Sequence, residues 1–265
     1  MTYSRRTVLA GLGMAALAGC TGEGVSPSSS GNGGGSASSG ISATVDGETI
    51  QIEVLADSVE SVSVIDPEGR LWTERPVSAG VTRVDVGLDE RYTPGEFRIV
   101  GVSGGETVAE TRLEITPDLR IVEVGIGEEN PDRMPSSMNL RRDSEVFVTI
   151  ENRGSGFEVI DQLTISGDVP SPTSPDTDRS GLYGEGGREL SSVIIRPDEQ
   201  LTVFSSTLPF NFGVARDFDC GSPRREGVAR FRVHGSMIQT PVEYSASIEY
   251  ATSTSKPFGC EVRVN

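Results

Sequence analysis

The stretch LDERYTPGEFRIV, residues Leu88–Val100, carries the pattern that decides the fold. Its Pro94-Gly95 pair marks a turn, and polar and apolar residues alternate in the run that follows. Such alternation predicts a β-strand with one buried face. Short β-branched runs of this kind continue along the chain, separated by turns such as Asp46-Gly47 and Asp66-Pro67-Glu68-Gly69. This spacing of strands and turns is typical of an all-β sandwich or barrel.

The first part of the chain contains about seven such strands in about 75 residues, which is the number in an immunoglobulin-like sandwich. We expect them near residues 41–45, 49–55, 61–65, 70–74, 81–86, 96–102 and 108–115. Leu88–Val100 also resembles the approach to the penultimate strand of prokaryotic immunoglobulin-like modules, where a tyrosine corner precedes the strand. The resemblance implies that the Tyr92 hydroxyl is structural and bonds to the backbone. Trp72, the single tryptophan, is expected to pack in the core or at its edge.

A second sandwich is expected after Thr116-Pro117-Asp118, which we interpret as a hinge. Its strands are expected near residues 119–126, 145–151, 158–166, 191–195, 200–205, 228–233, 244–250 and 260–264. The run EVFVTIENRGSG, Glu145–Gly156, resembles the strand and Asn-x-Gly turn of CARDB-like adhesion modules. The predicted fold class is all-β, with two tandem immunoglobulin-like antiparallel β-sandwich modules over residues 41–117 and 118–265.

Two long insertions interrupt the second module, Gly127–Asp143 and Gly167–Glu189. Loops longer than about 12–15 residues are usually either functional or disordered. We therefore expect a binding surface in these insertions or in the loop around Cys220.

The N-terminal run SRRTVLAGLGMAALAGC, Ser4–Cys20, is typical of an export signal. Its apolar part is shorter than the roughly 20 residues that a membrane-spanning helix needs, and two arginines precede it. Arg5 and Arg6 resemble the twin-arginine (Tat) export motif, and Leu17–Cys20 resembles the lipobox of bacterial and archaeal lipoproteins. The resemblance implies cleavage before Cys20 and attachment of a lipid to its sulfur. An ordinary cleaved secretory signal is the alternative.

We accordingly expect residues 1–19 to be a signal peptide and residues 20–40 to be the lipidated cysteine and a tether. Thr21–Gly40 consists mostly of Gly and Ser, and such a segment is a flexible coil with an r.m.s. span of about 25 Å. The expected location is the cell membrane, on its extracellular face, with the lipid on Cys20 as the membrane contact.

The composition is strongly acidic and poor in lysine. The chain has 39 acidic and 23 basic residues, a formal net charge of −16, and Lys256 as its single lysine. This composition resembles that of proteins from extremely halophilic archaea. In 1 M salt the Debye length is about 3 Å, so self-repulsion among the carboxylates is screened. Binding of nucleic acid is not expected, because affinity for phosphates needs a basic face.

Cys220 and Cys260 remain once Cys20 is assigned to the lipid. An even pair of cysteines in an extracellular compartment predicts a disulfide. The alternatives are two buried thiols and a metal site. Zinc is disfavoured, because a zinc site takes four ligands and His234 is the single histidine.

Two motifs match patterns that are associated with catalysis or metal binding. Gly101–Gly105 satisfies the G-x-S-x-G pattern of hydrolases, but it lies between two predicted strands and is interpreted as a hairpin turn. Asp176, Asp178 and Ser180 match the first oxygen ligands of a calcium loop, with Gly181 at its sixth position. Glu185 lies near the position of the closing carboxylate, which Gly187 occupies. These four oxygen donors, Asp176, Asp178, Ser180 and Glu185, form a calcium candidate, with a solvated acidic loop as the alternative.

No other cofactor is expected. Two further features remain, a histidine and a pair of aspartates. His234 is expected to be a half-buried structural residue. Asp217 and Asp219 form an acid pair beside Cys220 that suits either acid chemistry or an ordinary loop.

These features predict a non-catalytic lipoprotein of a halophilic archaeon, anchored in the membrane, with an interaction or structural role in the cell envelope. Its partner would be another envelope protein or a glycan. The alternative is an extracellular enzyme or accessory factor with a loop-borne, calcium-assisted site in the second module.

Overall fold

A computed structural model describes residues 40–265 apart from residues 56, 139–141, 174–177, 216, 222–223 and 254–259. The described residues form seventeen β-strands and three single-turn 3-10 helices, and they all fall in one compact unit. No helix among them is long and apolar enough to cross a membrane. The expected signal peptide and most of the tether, residues 1–39, lie outside the described residues.

The first sandwich packs a three-stranded sheet, in the order β1-β2-β5, on a four-stranded sheet, in the order β4-β3-β6-β7. All of its strand pairs are antiparallel. The strands are β1 (Ile41–Asp46), β2 (Thr49–Val54), β3 (Ser61–Ile65), β4 (Leu71–Pro76), β5 (Arg83–Gly87), β6 (Gly95–Ser103) and β7 (Glu106–Ile115).

Alternation of side chains builds the core of the first sandwich. Ile50 and Ile52 of β2 are fully buried, and Phe97 and Ile99 of β6 approach them from the other sheet. Trp72 packs at the edge of this core, where its ring lies edge-on to Phe97 with centroids 6.3 Å apart. The expected position of Trp72 at the core or its edge is therefore confirmed.

The second sandwich contains two five-stranded sheets, in the orders β12-β11-β14-β9-β8 and β13-β10-β15-β16-β17. Its strands are again antiparallel. They are β8 (Leu119–Ile126), β9 (Val146–Asn152), β10 (Glu158–Gly167), β11 (Leu182–Tyr183), β12 (Glu189–Leu190), β13 (Val193–Ile195), β14 (Gln200–Ser205), β15 (Arg224–Gly235), β16 (Val242–Thr252) and β17 (Cys260–Val264).

Residues from both sheets fill the core of the second sandwich. Ile150 of β9 and Val203 of β14 face Leu163 of β10 and Phe231 of β15, and all four are almost completely buried. The chain is thus an all-β protein with two tandem immunoglobulin-like antiparallel sandwiches, and the predicted fold class is confirmed.

The two sandwiches meet at a buried junction centred on Tyr92. Its hydroxyl donates a hydrogen bond of 2.9 Å to the carbonyl of Phe157 in the second sandwich, and the two rings lie 5.1 Å apart. Phe157, Val159 and Met237 belong to the same buried cluster as the core of the first sandwich. The expectation that the Tyr92 hydroxyl bonds to the backbone is confirmed, and its acceptor belongs to the second sandwich.

The connecting segment Thr116–Asp118, which was expected to be a hinge, is held by hydrogen bonds at both of its ends. The buried amide of Asn152 accepts the Asp118 N–H at 3.1 Å and donates to the carbonyl of Gly156 at 2.8 Å. Ser155 Oγ accepts the Thr116 N–H at 3.1 Å and donates to the Glu114 carbonyl at 2.7 Å. The Asn-x-Gly turn therefore fixes the connection between the sandwiches.

Glycines are required in this turn because the neighbouring chain comes close to their backbone. A Cβ at Gly154 would overlap the carbonyl of Thr116, and a Cβ at Gly156 would overlap the Tyr92 hydroxyl. No other residue type fits either position without displacing the junction.

Candidate functional site

The chain enters the first sandwich at the end that lies opposite the junction. β1 begins at Ile41 and runs toward the Gly47 turn, where Glu48 forms an ion pair with Arg196 of the second sandwich. Tyr92 and the end of β7 at Ile115 lie at that same junction end. Any segment that precedes Gly40 therefore joins the sandwich at its junction-distant end.

The long loops of the second sandwich begin at its own junction-distant end, which we call the far end. Strand β9 ends at Asn152, which lies at the junction, so β9 runs toward the junction. Its antiparallel neighbours β8 and β14 therefore run away from it. In the other sheet, β10 and β16 run away from the junction, and β13, β15 and β17 are antiparallel to them. The connections that follow those four strands therefore all begin at the far end, where the loop around Cys220 lies. The second insertion then returns along β10, and the Leu163 N–H of that strand donates to the Ser180 carbonyl at 2.7 Å. The sequence predicts a binding surface in the two insertions or in the loop around Cys220.

The Cys220 loop is attached to the body of the sandwich at several points. Cys220 and Cys260 form the predicted disulfide, with Cα atoms 5.5 Å apart. Phe218 packs on Tyr250 with ring centroids 4.9 Å apart, and the guanidinium of Arg225 lies 4.8 Å above the Phe218 ring. These contacts hold Phe218 and Cys220 against the sandwich, whereas Val214 is 70% exposed.

The first insertion folds back over a sheet. Its 3-10 helices include Pro131–Arg133, and Met134 is buried against Phe147 and Phe204 on the outer face of the β9 sheet. Arg133 lies 4.6 Å above the Phe147 ring and binds both carboxylate oxygens of Glu123. This insertion contributes a second small core to the module.

The second insertion borders a polar groove of about 710 Å³ beside β10. Asp161, Asp178, Arg179 and Glu189 line it together with Gln162, Ser180, Leu190 and Ser191. A β-bulge at Asp161 shifts the register of β10 against β15 at this point. Arg179 neutralises Glu189 through two hydrogen bonds of 3.0 and 2.9 Å.

The calcium candidate is not assembled by the described residues. Asp176 lies outside them. Ser180 uses its hydroxyl to donate to the Leu190 carbonyl and to accept the Leu182 N–H, and Glu185 is not among the residues lining the groove with Asp178. Within the described part of the chain, no three His, Cys, Asp or Glu side chains form a group that could hold a metal ion.

The remaining candidate residues have structural partners. Gly104 and Gly105, both with positive φ, turn the chain between Ser103 and Glu106, so the G-x-S-x-G match is the predicted hairpin. His234 is partly buried, its Nε2 lies 3.4 Å from Thr164 Oγ1, and burial lowers its pKa. Asp219 accepts the Gly221 N–H at 2.8 Å.

The export and lipidation residues Arg5, Arg6 and Cys20 lie outside the described residues. Glu158 is a buried group that the sequence did not predict. Its carboxylate is fully buried at the junction and accepts the N–H groups of Val159, Met237 and Ile238 at 2.8, 2.9 and 3.0 Å. A glutamate at the start of an apolar strand gives no sequence signal for such a position.

Comparisons with known proteins assign neither a family nor a function to the chain. No family model matches the chain, and no curated protein matches it. Among solved structures, it is similar to a two-domain fibronectin type III segment of chicken tenascin, with 10% identity, a TM-score of 0.28 and coverage of 78% of this chain and 95% of that one.

It is also similar to the ligand-binding domain of human OSCAR, at 10% identity and a TM-score of 0.23, over 85% of this chain and 96% of that one. A β-glucuronidase of glycoside hydrolase family 2 is similar at 10% identity and a TM-score of 0.25, over 83% of this chain. The matched part is only 21% of that enzyme's length.

Proposed function

We propose that this chain is an extracellular lipoprotein of a halophilic archaeon, exported by the Tat route and anchored through a lipid on Cys20. In this proposal it is not an enzyme. The paired sandwiches present the far end to another component of the cell envelope, so the role is one of interaction or spacing. The partner is an envelope protein or a glycan.

The observation that supports this proposal is the placement of the two ends. The chain enters at the junction-distant end of the first sandwich, whereas the loop around Cys220 and its disulfide lie at the far end of the second. The buried junction connects these ends through Tyr92 and Asn152. A tether at one end would leave the opposite loops free to meet a partner.

Membrane fractionation of the native host tests the anchor. The Cys20→Ser variant is expected to move from the membrane fraction to the medium, because the only proposed membrane contact is the lipid on that sulfur. Cys220→Ser is the matched control, since it removes a cysteine that is not an anchor, and it should stay with the membrane. Retention of Cys20→Ser in the membrane would contradict the proposal.

Export is tested separately with the arginine pair. Replacing Arg5 and Arg6 by lysine preserves the positive charge but removes the twin-arginine motif, so accumulation in the cytoplasm is expected. Continued export of this variant at the wild-type level would assign the protein to a different route.

A further inference from the structure

The sheet β13-β10-β15-β16-β17 has a segment of edge that no strand covers. β16 pairs with β15 along almost its whole length, whereas its pairing with β17 begins at Ile248. The Ser247 carbonyl points to the β17 side, because it accepts the Asn265 N–H at 2.9 Å. Backbone groups alternate in direction along a strand, so the N–H and carbonyl groups of Glu243 and Ser245 point to that same side. They have no hydrogen-bond partner in the described part of the chain. We call residues 242–246 the free edge.

The free edge lacks the devices by which several other edges of this protein are protected from pairing with another chain. β4 ends in Pro76 and pairs with β3 through a bulge, and β8 is bulged near Glu123. The exposed edge of β17 is capped, because Glu129 accepts the Val264 N–H at 3.0 Å. In contrast, residues 242–246 contain no proline and no lysine, and no bulge interrupts their pairing with β15.

The free edge also exposes an aromatic side chain on the inner face of the sheet. Tyr244 alternates in phase with Ala246 and Ile248, which are almost completely buried, yet it is 37% exposed. The segment is bounded on both sides. Pro241 has no N–H to donate, and Asn265 already occupies the position opposite Ser247. The space along the edge therefore admits a strand of about five residues.

We propose that two copies of this chain pair through their free edges, antiparallel and about a twofold axis that passes through Tyr244. The five-stranded sheets of the two copies would then form one continuous sheet. This inference concerns assembly and does not depend on the lipid at Cys20.

The free edge is complementary to its own copy. With Tyr244 opposite Tyr244 of the second copy, Glu243 lies opposite Ser245 of that copy, and Ser245 lies opposite its Glu243. These are the residues whose backbone groups point outward, so each pair exchanges two hydrogen bonds and the interface gains four. On the inner face, Val242 lies opposite Ala246 of the second copy. The register thus places apolar side chains on the inner face and polar ones on the outer face.

The charges on the outer face are compatible with this pairing. The residue opposite Glu243 is a serine, whose hydroxyl can donate to the carboxylate. The two Glu243 residues are diagonal neighbours about 7–8 Å apart, and each carboxylate lies 2.6 Å from Nε of Arg232 in its own chain. The net charge of −16 makes two copies repel each other, but a Debye length of about 3 Å in 1 M salt screens that repulsion.

Oxidative cross-linking of the full chain tests this register. Residues opposite each other at a non-hydrogen-bonded position have Cα atoms about 4.5 Å apart, which is within the roughly 4.4–6.8 Å that a disulfide spans. The Tyr244→Cys variant should therefore form a covalent dimer with a mild oxidant. Ser247→Cys is the matched control, because Ser247 is exposed on the same strand. Six residues of offset place it about 20 Å from its copy, so it should stay monomeric, as should the wild type.

A proline on the free edge tests the hydrogen bonds separately. Ser245→Pro removes an N–H that has no partner among the described residues of the single chain, and proline is tolerated at the edge of a sheet. Two of the four intermolecular hydrogen bonds are lost. In the Tyr244→Cys background, Ser245→Pro should weaken association at least about tenfold, whereas Ser245→Ala should cross-link as Tyr244→Cys does. Circular dichroism checks that the proline variant remains folded.

Three results would each overturn the pairing. The first is a Tyr244→Cys protein that stays monomeric under oxidation, and the second is a Ser247→Cys protein that cross-links equally well. The third is a folded Ser245→Pro variant that associates as strongly as its Ser245→Ala counterpart. The anchor at Cys20 is judged by fractionation instead, so the two proposals can fail independently.

Discussion

Tyr92 is the residue that connects the two sandwiches most directly. Its ring packs against Phe97 of its own sandwich and Phe157 of the other, and its hydroxyl satisfies the carbonyl of Phe157. Burial raises the pKa of Tyr92, so the hydroxyl stays protonated and remains a donor. A buried carbonyl that loses its hydrogen-bond donor costs about 1–3 kcal/mol.

The Tyr92→Phe variant should therefore lower the free energy of unfolding by about 1–3 kcal/mol, because the Phe157 carbonyl stays buried without its donor. Denaturant titration in the salt that the protein requires measures this. Tyr244→Phe is the control, since Tyr244 is 37% exposed and its hydroxyl can exchange a partner for water. Equal stabilities of Tyr92→Phe and the wild type would contradict the assigned role.

Glu158 gives the junction a dependence on pH. Burial raises the pKa of Glu158 above its ordinary value of 4.5, although hydrogen bonds from Met237, Val159 and Ile238 oppose that rise. The folded protein then holds a proton to higher pH than the unfolded chain does. Linkage requires the free energy of unfolding to fall as pH rises from 4.5 through the raised pKa.

We expect this fall in the wild type and not in Glu158→Gln, which has no proton to lose. Denaturant titrations across that pH window give the difference between the two proteins, and the wild type should lose stability relative to the variant as pH rises. Glu158→Gln is also expected to be less stable overall, because an amide nitrogen would face a backbone N–H. If the two curves stay parallel across the window, Glu158 has no shifted pKa.

At the scale of elements, the disulfide holds the Cys220 loop to β17. Cys220 and Cys260 are 40 residues apart, and closing a loop of that length stabilises the folded state by roughly 4 kcal/mol on the chain-entropy estimate. Replacing both cysteines by serine should lower the free energy of unfolding by about that amount. The far-end loop should also become more susceptible to proteolysis, whereas cleavage at the junction should be unchanged. Wild-type stability of the double variant would contradict this role.

The sequence predicted most of the strands because their chemistry is local. Val62 and Val64 alternate with serines in β3, and the observed strand has the predicted bounds, Ser61–Ile65. β11 and β12 were not predicted, because each has only two residues. β15 begins at Arg224, four residues before the predicted start. The segment Arg224-Arg225-Glu226-Gly227 contains no aliphatic residue, so it shows no strand pattern in the sequence. Its backbone nevertheless pairs with β16.

The candidate site was predictable only in part, because its contacts join residues far apart in the chain. The disulfide followed from a count of cysteines. The contacts of Tyr92 with Phe157 and of Glu158 with Met237 span 65 and 79 residues, and no local pattern in the sequence encodes them.

At the scale of the whole molecule, the two sandwiches form one unit with a shared buried cluster. The hydrogen bonds around Thr116–Asp118 leave this segment without the freedom of a linker. The proposed tether before Gly40 and the far-end loops are therefore separated by two fixed modules. That separation matters for the proposed role only if the N-terminus is attached to the membrane.

Mass spectrometry of the N-terminal peptide from the membrane-bound protein tests that attachment most directly. The account predicts that the mature chain begins at Cys20 and that its sulfur carries a lipid. Recovery of a free Cys20 thiol, or of a chain that still carries residues 1–19, would contradict it.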